Sequence, residues 1–156
     1  MIYRLATETD LPELAAMRWD FITENHPQVP PGVSSDTFLA AFTDFLREGL
    51  ASGRWTAWVA EEDGRILSHM YIQRVRKMPH PGRWLREFGY VSNVYTRPAY
   101  RNRGIGAALM KCVQQWGREQ KLESLLLRPS QRSVPFYRRA GFHPPRASLE
   151  FIFEED

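Results

Sequence analysis

Arginine and glycine residues are closely spaced in one turn whose composition suits the binding of a polyanion. This segment, Arg101-Asn-Arg-Gly-Ile-Gly106, follows a run of β-forming residues that ends at Thr96. It precedes apolar residues at positions 105, 109, 112, 113 and 116, which have the spacing of one helix face. The first N–H groups of a helix lack intrahelical acceptors, and the helix dipole adds positive charge beside them. Arg97, Arg101 and Arg103 add whole charges. We call residues 101–106 the RG turn and interpret it as a site for a pyrophosphate or a similar group.

Other phosphate-binding turns differ from the RG turn in sequence. A P-loop requires G-x-x-x-x-G-K-[ST], which the chain lacks. A dinucleotide fingerprint requires Gly or Ala three positions after its second glycine, where this chain has Leu109. The pattern that remains is R-x-x-G-x-G, placed after the third strand of a predicted meander.

A second motif lies downstream and reads Ser130-x-x-Ser133-x-x-x-Tyr137-x-x-x-Gly141-Phe142. With both motifs in this order, the chain resembles the GNAT family of GCN5-related N-acetyltransferases along nearly its whole length. The resemblance implies acetyl-CoA as co-substrate and a primary amine as acceptor. No cluster in the sequence has metal-ligand spacing, so no metal is expected. The resemblance also implies that backbone groups of residues 102–107 hold the pyrophosphate, and that those of residues 94–96 hold the pantetheine arm like an added strand. The implied cofactor-binding residues are Val94, Tyr95, Thr96, Arg101, Asn102, Arg103, Gly104, Ile105, Gly106, Ala107 and Ser130.

Tyr137 stands where the family usually has its general acid. A phenol with a pKa of about 10 can donate a proton, only modestly uphill, to a departing thiolate of pKa about 8.5. A core aromatic beside Phe136 is the alternative interpretation. Ser130 stands where many members carry an asparagine that contacts the pantetheine arm, so its hydroxyl can replace only part of that contact.

The acceptor amine must lose a proton before it attacks the thioester. With a pKa of about 10.4, freeing it at pH 7 costs roughly 4.6 kcal/mol. Glu87, at the start of the predicted third meander strand, is the candidate base, acting directly or through water. Its alternative is a solvated charge paired with Arg83 or Arg86. Asn93 can orient a substrate or a water molecule but is not a base.

The predicted order of elements is β-α-α-β-β-β-α-β-α-β, an α/β fold with a mixed central sheet. The resemblance implies a GNAT-like sheet, splayed at the acyl-CoA site. Residues 91–127 form a strand, a helix and a parallel apolar strand, Ser124 to Leu127. The alternation of Leu149, Phe151 and Phe153 predicts a last strand. No linker is visible, so we expect one domain over residues 1–156.

Composition limits the remaining function classes. The net charge of +3 is too small to indicate nucleic acid, and no apolar run has the length of a membrane span, so a cytoplasmic protein is expected. Cys112 lies on an apolar helix face, which favours a buried thiol over a nucleophile. We therefore expect direct acetyl transfer, in a ternary complex, to the primary amine of a small molecule. A non-catalytic acyl-CoA-binding domain and a protein N-terminal or lysine acetyltransferase are the alternatives, and the family resemblance leaves a homodimer open.

Overall fold

A computed structural model describes residues 1–26, 28, 32–146 and 148–153 of the chain. The predicted proline-rich loop at residues 26–32 lies partly outside these residues, and the acidic residues 154–156 lie wholly outside them. The helices and strands are β1 (Ile2–Leu5), α1 (Leu11–Asn25), α2 (Ser35–Ala51), β2 (Trp55–Glu62), β3 (Arg65–Arg76), β4 (Glu87–Thr96), α3 (Ile105–Glu119), β5 (Leu125–Leu126) and α4 (Val134–Arg139).

The five strands form one sheet in the order β1-β2-β3-β4-β5, antiparallel except for the parallel pair of β4 and β5. Because strand side chains alternate between faces, the sheet supports two apolar clusters. On one face α1 and α2 bury Leu14, Met17 and Leu46. On the other, α3 buries Leu109 and Val113. The predicted α/β class with a mixed sheet is confirmed.

β4 and β5 pair over only two residues, at the start of β4. Their partners are Gly89 with Leu125 and Tyr90 with Leu126. A Cβ on Gly89 would meet side-chain carbons of Ile72 and Leu125 at 2.8 Å, so a glycine permits this close approach. Beyond Tyr90, residues 91–96 of β4 have no partner in β5, which is the splay that the resemblance implies.

A β-bulge interrupts the pairing of β4 with β3 within the same part of β4 that does not pair with β5. His69 pairs with Tyr95, whereas Tyr71 pairs with Ser92, so two β4 residues, Asn93 and Val94, stand opposite one β3 residue. Asn93 has a φ of 50°, a left-handed conformation that asparagine tolerates better than most residues. The bulge therefore bends β4 in the middle of its open edge.

The predicted last strand is absent from the described carboxyl-terminal residues. Residues 142–146 and 148–153 contain no strand, and Leu149, Phe151 and Phe153 are largely exposed. Pro144 and Pro145 have no N–H groups to donate to a ladder. Alternation alone does not form a strand where no sheet face covers the apolar side chains.

Candidate active site

A cavity of about 530 Å³ lies between the open edge of β4, the RG turn and α4. We call it the main cavity. Most of the predicted functional residues line it, namely Val94, Thr96, Arg101, Asn102, Gly104, Ile105, Gly106, Ala107 and Tyr137. The predicted residues that do not line it are Glu87, Tyr95, Arg103 and Ser130. Sequence and structure thus place one site at the junction of the two motifs.

The first turn of α3 supplies free backbone donors to the main cavity. Gly104 precedes the helix with a φ of 79°, and no side chain caps it. The N–H of Ala108 reaches the Gly104 carbonyl at 3.0 Å, so the preceding amides of the turn have no intrahelical acceptor. A Cβ on Gly106 would lie 3.6 Å from both Phe136 and the Thr96 hydroxyl. The glycine leaves this space open to a ligand.

Successive β4 side chains point to opposite sides, which separates Tyr95 from its predicted neighbours. Val94 and Thr96 line the main cavity, whereas the Tyr95 ring packs edge-on against Phe21 of α1. The Ser68 hydroxyl donates to the Tyr95 carbonyl at 2.9 Å and lies 2.8 Å from the Thr96 hydroxyl. These bonds fix the backbone at the end of β4, and only that backbone remains available at Tyr95.

Two of the three predicted cationic side chains are ion-paired with α1. Arg101 donates from both Nη atoms to Glu24, and its Nε donates to the Thr96 carbonyl at 2.9 Å. Arg97 donates to the Glu13 carboxylate at 3.0 Å. Arg103 lies over the Tyr100 ring, 5.3 Å from its centroid. At the RG turn, backbone amides are therefore more available to a ligand than the side chains of Arg97 and Arg101.

Tyr137 belongs to the core and to the cavity at once. Its ring makes edge contacts with Phe136 at 5.0 Å and Phe142 at 5.8 Å between centroids. Burial raises the pKa of its hydroxyl to about 12. The phenol therefore stays protonated, and giving its proton fully to a thiolate of pKa about 8.5 would cost roughly 5 kcal/mol. Hydrogen-bond donation to developing charge suits it better than complete proton transfer.

Of the two serines in the downstream motif, Ser133 lines the main cavity, whereas Ser130 was the one predicted to contact the ligand. Ser130 begins the short 3-10 turn before α4. The two hydroxyl oxygens are 3.0 Å apart, and the Ser133 hydroxyl donates to the Ser130 carbonyl at 2.9 Å. Ser130 therefore supports the position of Ser133 rather than facing the cavity.

Glu87 lies at the opposite end of β4 from the main cavity. Asn93 is six residues further along the strand, a separation of about 20 Å. The Glu87 carboxylate accepts a hydrogen bond from Arg74 Nε at 3.1 Å. Its position and its partner do not support the predicted role as base. The predicted alternative was an ion pair with Arg83 or Arg86, but these arginines pair with Glu123 instead.

Several residues at the site were not predicted as functional. Tyr100, Phe136 and Arg139 line the main cavity. The Tyr137 motif gave a signal for Phe136 and Arg139, because both lie on the same short helix. Arg18 of α1 donates from Nη1 to Asn93 Oδ1 at the bulge. These two residues are 75 positions apart in sequence, and no local pattern relates them.

The described residues bring together no group of three His, Cys, Asp or Glu side chains that could hold a metal ion. Cys112 is half-buried on α3 and does not line the main cavity. Among the helices of the described ranges, none combines the length and apolar character needed to cross a membrane.

Comparisons with known proteins agree with this geometry. The model of the Acetyltransferase (GNAT) family matches residues 13–142. The chain is 26% identical over 140 residues to the Escherichia coli peptidyl-lysine N-acetyltransferase YiaC, covering 90% of this chain and 82% of the relative.

Solved structures show the same fold. A predicted acetyltransferase with acetyl-CoA from Clostridium acetobutylicum superposes with a TM-score of 0.78 at 23% identity, covering 97% of this chain and 95% of the other. A GCN5-related N-acetyltransferase from Ralstonia eutropha JMP134 superposes with a TM-score of 0.72 at 29% identity, covering 97% of both chains. The chain belongs to the acetyltransferase (GNAT) family and is an acyltransferase of the N-acetyltransferase type.

Proposed function

We propose that this protein transfers an acetyl group from acetyl-CoA to the primary amine of a small molecule, by direct attack in a ternary complex. The main cavity is the observation that carries the proposal. It joins three groups that the reaction needs, namely an open strand edge, unpaired helix amides and a buried phenol.

The volume and the chemistry of the main cavity support an acyl-CoA as its ligand. Ligand sites commonly have volumes of about 300–1,000 Å³, and this one has about 530 Å³. The free amides before Ala108 suit the pyrophosphate, and the absent side chain of Gly106 leaves room for it. The unpaired edge of β4 suits the amide groups of the pantetheine arm. Arg139 adds a cation on the opposite wall.

In the proposed reaction, the amine nitrogen attacks the thioester carbonyl carbon. A C–N bond forms, the C–S bond breaks, and the sulfur leaves with the electron pair of that bond. The nitrogen then releases its remaining extra proton to water, so that the products are the neutral amide, the thiolate of coenzyme A and a proton. The Tyr137 hydroxyl stabilises the developing thiolate by donating a hydrogen bond. Because Cys112 lies outside the main cavity, the chain offers no thiol there to carry an acyl-enzyme intermediate.

The acceptor amine is almost entirely protonated at neutral pH and must lose a proton before it attacks. At pH 7 an alkyl amine of pKa about 10.4 is unprotonated in roughly one molecule in 2,500. Glu87 is ion-paired far from the main cavity, so we do not propose it as the base. We propose that the site binds the free-amine form, with proton release to water before attack.

A lysine side chain of a protein is the second candidate acceptor. It is favoured by the likeness to the Escherichia coli relative named for peptidyl-lysine acetylation. Both acceptors present a primary amine, so the chemistry of the thioester does not separate them. The rates of acetyl transfer to a small amine and to a lysine side chain, measured under the same conditions, decide between these two acceptors.

Isothermal titration with acetyl-CoA, followed by thiol-release assays with an amine panel, tests the proposal. The panel contains small amines and lysine peptides of matched concentration. We expect binding below millimolar ligand and faster thiol release with a small amine. Absence of binding at millimolar acetyl-CoA would refute the proposal. Binding without amine-dependent release would instead support a non-catalytic acyl-CoA-binding domain.

A further inference from the structure

Arg18 of α1 contacts the bulge of β4, next to a residue that lines the main cavity. Its Nη1 donates to Asn93 Oδ1, and the Asn93 Nδ2 donates to the Ser92 hydroxyl at 3.0 Å. The guanidinium also lies 5.4 Å from the ring centroid of Phe21. The residue after Asn93 is Val94, which lines the main cavity. Arg18 therefore stands close to the point where the acetyl group would be transferred.

The charge of Arg18 has no carboxylate partner among the described residues. The neighbouring arginines Arg97 and Arg101 are both paired, with Glu13 and Glu24 of the same helix. A guanidinium has five N–H donors, and the hydrogen bonds of the described residues occupy one of them here. Burial lowers the pKa of Arg18, which reflects the cost of holding its charge away from water.

Two buried polar side chains lie beside Arg18. The Tyr71 hydroxyl makes no hydrogen bond within the described part of the chain, and the His69 ring has no side-chain partner there but interacts with the backbone of Asn93. The rings of His69 and Tyr71 are 4.8 Å apart, and Tyr71 pairs with Ser92 next to the bulge. Burial lowers the pKa of His69, and the charge of Arg18 acts in the same direction. Burial raises the pKa of Tyr71, and the charge of Arg18 opposes that effect. Unused hydrogen-bond donors of a guanidinium, Arg18, and of a phenol, Tyr71, thus occur together.

We propose that Arg18, with the Tyr71 hydroxyl, binds an oxyanion of the acceptor, so that the acceptor is a small amine that also carries a carboxylate or a phosphate. This inference rests on the proposed function, because it names the class of its acceptor. Guanidinium groups bind both oxyanions through charge-assisted hydrogen bonds. An acceptor without the anion would leave the Arg18 charge unpaired beside the attacking amine.

The adjacency of Asn93 and Val94 limits the size of the acceptor. Their Cα atoms are about 3.8 Å apart, as in any trans peptide. We expect the anion and the amine of the acceptor to be joined by a short chain, because Arg18 contacts Asn93 and the next residue, Val94, lines the main cavity. Small ω-amino acids and aminoalkyl phosphates have this form.

Paired acceptors test the inference in the thiol-release assay. Glycine, β-alanine and 4-aminobutyrate are compared with methylamine, ethylamine and propylamine, and phosphoethanolamine provides the phosphate arm. We expect kcat/KM to be about 10- to 100-fold higher for the anionic member of at least one pair. A higher kcat/KM for the amino acids indicates a carboxylate as the preferred anion, and a higher kcat/KM for phosphoethanolamine indicates a phosphate. Equal rates within every pair would overturn the inference.

Variants of Arg18 locate the effect. Arg18→Gln should raise KM for the anionic acceptor about 10- to 100-fold more than it raises KM for the matched neutral amine. Arg18→Lys should restore part of the preference, because the charge is kept. Arg54→Gln is the matched control, since Arg54 is exposed and pairs with Glu48 at 3.4 Å. An undiminished preference in Arg18→Gln would overturn the inference.

Failure of the inference and failure of the proposed function give different results. If no amine releases thiol, the function fails, and titration of the amino acids and of phosphoethanolamine into the CoA-loaded protein decides the inference. Binding that Arg18→Gln abolishes supports it, and no binding refutes it. If Arg18→Gln does not fold, Tyr71→Phe removes one proposed donor and should reduce the preference for the anionic acceptor.

Discussion

Arg101 donates hydrogen bonds to both carboxylate oxygens of Glu24, at 2.6 and 2.8 Å, and thereby joins the RG turn to the last turn of α1. The same guanidinium donates to the Thr96 carbonyl at the end of β4. One side chain thus connects the RG turn, α1 and the end of β4. The arginine that sequence reasoning assigned to the phosphates is bound to a carboxylate and holds the turn in place.

The first prediction follows from this pair. Arg101→Ala and Glu24→Gln should weaken acetyl-CoA binding by similar factors, and the double variant should be no worse than either, because each single change already breaks the pair. Isothermal titration of all three variants measures this. A large loss in Arg101→Ala with no loss in Glu24→Gln would show instead that Arg101 contacts the phosphates directly.

The same pair predicts a pH dependence of stability. The Arg101 guanidinium lowers the pKa of Glu24, so the stabilisation is present at neutral pH and is lost as the pH falls through the lowered value. Both side chains are about one-third exposed, which limits the contribution to at most about 1 kcal/mol. The difference in the free energy of unfolding between wild type and Glu24→Gln should therefore vanish well below pH 4 in urea titrations.

The second prediction separates the two glycines of the RG turn. Gly106→Ala should reduce acetyl-CoA affinity, because its Cβ would enter the main cavity near Phe136, yet raise stability by up to about 1 kcal/mol in a helix. Gly104→Ala should destabilise the fold by about 1–2 kcal/mol, because its φ of 79° is left-handed. Chemical unfolding measures the stability of both variants, and isothermal titration measures their acetyl-CoA affinity. Equal effects of the two variants on stability would contradict this assignment.

The third prediction concerns Tyr137. Tyr137→Phe should lower kcat about 100-fold and leave acetyl-CoA affinity unchanged, because the hydroxyl acts on charge that develops in the transition state. Since burial raises its pKa to about 12, wild-type activity should show no descending limb between pH 6 and 10. Tyr3→Phe, in the edge strand β1, is the control. Unchanged turnover in Tyr137→Phe would refute the role.

Local sequence patterns were sufficient to predict those parts of the site whose residues lie close together in the chain. Thr96, the RG turn and the start of α3 follow one another, and turn chemistry together with helix periodicity specifies their conformation. Tyr137 was predicted because the motif around it resembles that of the GNAT family, and its residues lie close together in the chain. In both cases the chemistry depends on backbone conformation over a few residues.

Contacts between distant residues could not be predicted in the same way. Glu87 resembled a base from its place on a strand, but its strand position puts it about 20 Å from Asn93. The Arg18–Asn93 contact requires α1 to lie over a bulge that no sequence signal marks. Leu149 and Phe151 alternate as strand residues do, yet the described chain gives them no sheet face.

The last prediction uses His69, which is fully buried in β3. Burial lowers its pKa to about 3, a hydrogen bond with the backbone of Asn93 opposes this effect, and the charges of Arg18 and Arg97 add to it. In the unfolded chain the imidazole has a pKa of about 6.5, so the unfolded state binds more protons below that pH. Wild-type stability should therefore fall by up to about 1.4 kcal/mol per pH unit from pH 6.5 toward pH 3. Between pH 6.5 and 5 the carboxylates of the chain contribute little, which isolates the histidine.

His69→Gln should flatten this slope whatever its effect on absolute stability, because glutamine does not titrate. Urea unfolding at half-unit pH intervals measures the slope directly. His80→Gln, at an exposed loop position, is the matched control and should keep the wild-type slope. If His69→Gln and wild type lose stability in parallel between pH 6.5 and 5, the imidazole is protonated in the folded protein. Its ring would then face a ligand or solvent rather than a closed core.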